Sequence, residues 1–105
     1  MITKGAPDET CPIAKTLNVI GTKWTFLIIH DLLIEGKMRF SDLLKSMNGI
    51  SPKTLSLRLK TLEDHRILNK KVFPEVPPCV EYTLTDKGKQ LEGIFIALKR
   101  FGLNL

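Results

Sequence analysis

The run Asn48-Gly49-Ile50-Ser51-Pro52, set between two stretches of helical periodicity, constrains the fold more than any other segment of the chain. Before it, Phe40, Leu43, Leu44 and Met47 recur at i, i+3, i+4 and i+7, the spacing of one helix face. Asn-Gly takes a left-handed turn readily, because glycine has no Cβ to clash and asparagine tolerates that region. Ser51 offers a side-chain acceptor to the unpaired N–H groups that open a helix, Pro52 suits its first position, and Ile50 is placed to staple onto Leu55. Two helices joined by so well-specified a turn form a helix-turn-helix over residues 40–64.

The second of these helices, Pro52 to about Asp64, carries Leu55, Leu59 and Leu62 on one stripe. At about 100° per residue, the opposite face carries Lys53, Leu57, Lys60 and Asp64, with Thr54 and Thr61 beside it and Ser56 and Arg58 on the flanks. A helix that enters the major groove of DNA needs an apolar anchor inward and polar side chains outward, and this one has both.

The remaining elements surround that pair. Ile13, Leu17 and Ile20 mark a short first helix that begins at Pro12 and stops at Gly21. Lys23 to Glu35 is apolar nearly all round, as expected of a central helix or one at a subunit interface. Ile67 to Phe73 reads as a strand, and Val80, Tyr82 and Leu84 alternate with polar neighbours as a second, with a proline-stiffened connector from Pro74 to Cys79 between them. Together they predict a hairpin wing over 67–84. Thr85 then caps a last helix, expected as one element over 85–101, whose Leu91, Ile94, Phe95, Leu98 and Phe101 exceed what one small core can cover. The fold class is therefore mainly α with a small β-hairpin wing: a winged helix-turn-helix in a single domain of 105 residues, with residues 1–10 as a disordered arm.

Charge follows the same division. The net charge is +5, and between Lys37 and Phe73 nine basic residues face three acids, so the whole excess lies in the helix-turn-helix and the first wing strand. A polyanion-binding surface requires that concentration. The groove-facing set is Lys53, Thr54, Ser56, Leu57 and Arg58, with Lys60 on phosphate. Lys70 and Lys71 on the wing reach the neighbouring minor groove or backbone, and Arg39 and Ser51 complete the expected DNA contacts.

Other classes fit poorly. Cys11 and Cys79 lack metal-ligand spacing, His30 and His65 lack ligand-spaced companions, and no glycine loop cradles phosphate, so neither a metal, a cofactor nor an enzyme is expected. The N-terminus lacks the apolar segment of a signal peptide, and Trp24–Ile34 is well short of the roughly 20 residues that span a bilayer, so a cytoplasmic protein with no membrane partner is expected. A winged-helix module that binds proteins instead of DNA is the alternative, because fold does not fix function.

Three segments, CPIAKTLNVIGTKWTFLII, MRFSDLLKSMNGISPKTLSLRLKTLE and VFPEVPPCVEYTLTDKG, resemble in order and spacing the HxlR-type winged helix-turn-helix regulators, relatives of the MarR-like repressors. The resemblance implies a homodimer joined through the first and last helices, with Ile13, Leu17, Leu91, Ile94, Phe95, Leu98 and Phe101 at the interface. It implies double-stranded DNA as partner, with a small-molecule or oxidant effector. It also implies a redox or electrophile sensor at Cys11, where a helix N-terminus favours thiolate while Asp8 and Glu9 oppose it; the alternative is a small buried or capping residue near the dimer seam. The chain departs from the family in three places: Cys79 stands for a usual wing arginine, Arg66 for a glycine after the recognition helix, and Lys70 for an arginine.

Overall fold

The computed structural model describes residues 11–105, so the arm expected at 1–10 lies outside the described residues. Helices α1 (Pro12–Ile20) and α2 (Lys23–Glu35) lead into a short strand β1 (Lys37–Arg39), followed by α3 (Phe40–Ser46) and α4 (Pro52–Asp64). The wing strands are β2 (Leu68–Phe73) and β3 (Cys79–Leu84), and α5 (Asp86–Lys89) and α6 (Glu92–Leu103) close the chain. This is a winged helix-turn-helix, mostly helical, with one small antiparallel sheet in the order β1-β3-β2.

The core forms where α2, α3, α4 and the sheet meet. Ile28, Ile29 and Leu32 of α2 pack with Leu43, Leu55, Leu59, Leu62, Leu68, Tyr82 and Leu84. Burying an aliphatic side chain of this size contributes about 1.5–3 kcal/mol, so this cluster supplies most of the drive to fold. Among the described residues Thr25 is the one buried polar residue, and its hydroxyl is satisfied by Thr22 Oγ1 at 2.7 Å, beside the cap of α2.

Two details differ from the sequence expectation. The wing is a three-stranded sheet, because Lys37, Met38 and Arg39 pair with Thr83, Tyr82 and Glu81 along the open edge of β3. Three residues carry too little periodicity to announce a strand; only the edge beside them makes one. The single helix expected over 85–101 is broken in two at Gln90-Leu91. There the N–H groups of Gln90 and Leu91 reach back three residues, to Lys87 O at 3.2 Å and Gly88 O at 3.1 Å, tightening the turn. A tertiary contact lies on each side of the break: Gly88 sits so close to Ile67 that an added Cβ would stand 2.4 Å from its carbonyl oxygen, and Phe95 packs edge-on to Phe26 at 5.4 Å.

No single helix among the described residues is long and apolar enough to cross a membrane.

Candidate nucleic-acid interface

Local chemistry fixes α4 at both ends. At its start, Gly49 has φ +100°, the left-handed turn that the Asn-Gly pair permits. Ser51 Oγ accepts from the Thr54 N–H at 3.1 Å and donates to Thr54 Oγ1 at 2.9 Å. At its end, the Arg66 N–H donates to Glu63 O and the Ile67 N–H to Leu62 O, both at 2.9 Å, which is the pattern that usually closes on glycine. Arg66 occupies that position at φ +59°, so the helix ends as it would with glycine but at the steric cost of a side chain.

Between those ends the leucine stripe is wholly inside: Leu55, Leu59 and Leu62 are no more than 1% exposed. Lys53, Ser56, Leu57 and Lys60 are exposed on the outward side. Leu57 is 58% exposed, so its side chain is open to contact from outside the helix.

The other expected contact residues do not all share this face. The Thr54 and Ser51 hydroxyls are joined in the cap. Arg58 is half-buried on the flank, and its Nε is buried without a hydrogen-bond partner, so the guanidinium is partly drawn into the protein. Lys60 donates to Asp64 Oδ1 at 3.0 Å, and that hydrogen bond and charge raise its pKa, which keeps it cationic. Asp64 therefore places a carboxylate on the same outward side.

Lys70 and Lys71 are adjacent in sequence but lie on opposite faces of β2, since side chains alternate along a strand. Lys70 shares a cleft of about 320 Å³ with Ser56, Leu57, Lys60, Glu63 and Tyr82, between α4 and the wing. Lys71 instead lies over the Phe73 ring at 4.9 Å. Burial raises the pKa of Tyr82 at the floor of the cleft, so its phenol stays neutral. Arg39 stands apart from α4, at a cavity of about 620 Å³ beside the wing tip with Phe40, Ser41, Pro77, Pro78 and Cys79. The positive surface thus has two parts, α4 with Lys70 and the wing-tip side with Arg39. The sequence merges them because spacing along the chain does not show which side of a strand a residue takes.

Of the residues assigned to an interface between subunits, Ile13 and Leu17 on α1 and Ile94, Leu98 and Phe101 on α6 are exposed, with Phe101 at 68%. Leu91 and Phe95 are half-buried and pack against this chain's own core. Cys11 is half-buried at the N-cap of α1, its carbonyl accepting from the Lys15 N–H at 2.9 Å. The outward place of Asp64 follows from the helical spacing; the contact that Lys87 makes with the end of α4 was not drawn from the sequence, and no local signal marks it.

Comparison with known proteins accords with this geometry. The model of the HxlR-like helix-turn-helix family matches residues 19–105. The HTH-type transcriptional regulator sll1512 of Synechocystis is 41% identical over 92 residues, covering 88% of this chain and 67% of that protein. A MarR-family transcriptional regulator structure from Porphyromonas gingivalis superposes with a TM-score of 0.85 at 37% identity, over 95% of this chain and 97% of the other. The redox regulator HypR in its oxidised form superposes with a TM-score of 0.82 at 38% identity, over 90% and 97% of the two chains.

Proposed function

Because the chain belongs to the HxlR-like helix-turn-helix family and is a transcriptional regulator, not an enzyme, we propose that it binds a specific double-stranded operator as a homodimer in the cytoplasm. One observation carries the reading. A fully buried leucine stripe presents Lys53, Leu57 and Lys60 outward on one short helix, with Lys70 of the wing flanking the same cleft. Lys60 and Lys70 neutralise phosphates, and Lys53 and Leu57 with the polar side chains beside them meet base edges in the major groove. The wing lies along the adjoining backbone.

The partner subunit covers α1 and α6. Among the described residues α6 buries no side chain fully, Phe95 being half-buried, and Ile94, Leu98 and Phe101 would remain in water without a second copy. Two α4 helices then address half-sites about one helical turn, roughly 34 Å, apart.

Cys11, at the start of α1, is where an oxidant or electrophile acts on the dimer. The likeness to the redox regulator HypR supports this reading. Oxidant should weaken operator binding by the native protein and leave the Cys11→Ser variant unaffected; equal sensitivity of both would remove the sensor role.

The decisive test of operator binding is a salt titration with duplexes selected from random DNA. A dimer contacting about six or more phosphates loses affinity by orders of magnitude between roughly 50 and 200 mM salt. Lys53→Ala should weaken binding by about 1–3 kcal/mol. Salt-independent binding, or none, would favour a protein-interaction role instead.

A further inference from the structure

The C-terminus of α4 is held by a segment distant in sequence. Thr85 Oγ1 donates toward Arg66 O at 2.6 Å and Ile67 O at 3.1 Å, and the Thr85 N–H donates to Ile67 O at 2.9 Å. The same hydroxyl accepts from the Gly88 N–H at 3.0 Å, capping α5. Lys87 Nζ donates to His65 O at 3.1 Å. Three successive carbonyls at the end of the reading helix are thus held by one short turn, and that turn leads through Gln90-Leu91 into α6. Gly88 makes the approach possible, since a side chain there would collide with Ile67 O.

We infer that Thr85, Lys87 and Gly88 are positioning residues that set the angle between α4 and α6, and so fix the half-site spacing the dimer accepts. The inference rests on the homodimer and operator reading above. Its physical basis is leverage. α6 is anchored to α2 by Phe95, which meets Phe26 and stacks on His30 at 6.2 Å, and it runs on from there into the surface assigned to the partner. A small rotation at the joint with α5 is carried to the two reading helices in opposite senses across a twofold axis. Lys87 is the member whose contact can be removed while the Thr85 cap and the core stay in place, because its side chain reaches the carbonyl across the surface. A lysine at a helix C-terminus also meets the negative end of the helix dipole, which strengthens the bond.

The test compares native protein with Lys87→Met and Lys87→Arg. The probes are labelled duplexes carrying two copies of a half-site recovered by selection, at the selected spacing and at one and two base pairs shorter or longer, together with a duplex carrying a single half-site. Sedimentation of each variant reports its dimerisation. Native protein should bind best at one spacing. Lys87→Met should remain dimeric, bind the single half-site as the native protein does, lose about tenfold at the preferred spacing and show a flattened profile. Lys87→Arg, which keeps a cationic donor, should restore the peak. A Lys87→Met profile as steep as the native one would overturn the inference and leave the operator reading intact. So would an equal loss on every duplex with a salt dependence reduced by about one phosphate, which would make Lys87 a backbone contact. A native protein indifferent to spacing would overturn both readings.

Discussion

Helices α4 and α6 are nearly equal in length and opposite in what holds them. α4 buries three leucines in the subunit's own core and has both ends capped; α6 buries no residue among those described and is anchored only near its start, through Leu91 and Phe95. The contrast separates two kinds of order. The direction of the reading helix is decided within one subunit, so it is ready before DNA arrives. The environment of α6 is incomplete within one chain, and this is the property expected of an element that assembles the proposed dimer.

Breaking the anchor of α4 should have the largest effect. Leu59→Ala removes a side chain that is 1% exposed, so it should cost about 2–5 kcal/mol in a denaturant titration. On α6, Phe101→Ala should leave the stability of the single subunit almost unchanged. It should raise the dimer dissociation constant by about thirtyfold, as measured by sedimentation on dilution, if Phe101 is a central contact of the interface. An equal loss of subunit stability from both substitutions would erase the contrast.

Two smaller changes sharpen it. Arg66→Gly relieves a residue at φ +59° while enlarging the entropy of the unfolded chain. It should therefore stabilise by about 0.5–1 kcal/mol and raise the melting temperature by a few degrees. Asp64→Asn removes a carboxylate from the reading face and releases Lys60 from its 3.0 Å ion pair. Because that pair is exposed, the fold should hardly notice, while affinity for DNA rises by about threefold at low salt and by less as salt screens the charge. A loss of DNA affinity would mean that Asp64 helps orient Lys60 instead of competing for it.

Much of α4 was legible because its signals are local. The Asn-Gly turn, the Ser51 cap, the proline at the first position and the leucine spacing all act within one or two helical turns, and no other element is needed to interpret them. The surface charges were harder to read. Lys70 and Lys71 read as a pair along the chain, yet strand alternation sends one toward α4 and the other to Phe73. Arg58 read as a groove residue, yet its flank position draws Nε into the protein. Arg39 read as one of a single basic set, yet β1 carries it to the wing tip.

From its residues alone this protein was bound to form amphipathic helices around a tight turn, with a basic face on the second of them, because periodicity, capping and charge are properties of neighbours in sequence. Only the folded chain decided that β1 completes the sheet, that the last helix breaks after α5, and that Thr85 and Lys87 grip the carbonyls of residues 65–67. Each of these depends on bonds or contacts between segments about 20 or more residues apart, whose formation is set by the packing of the core and leaves no pattern in either segment alone.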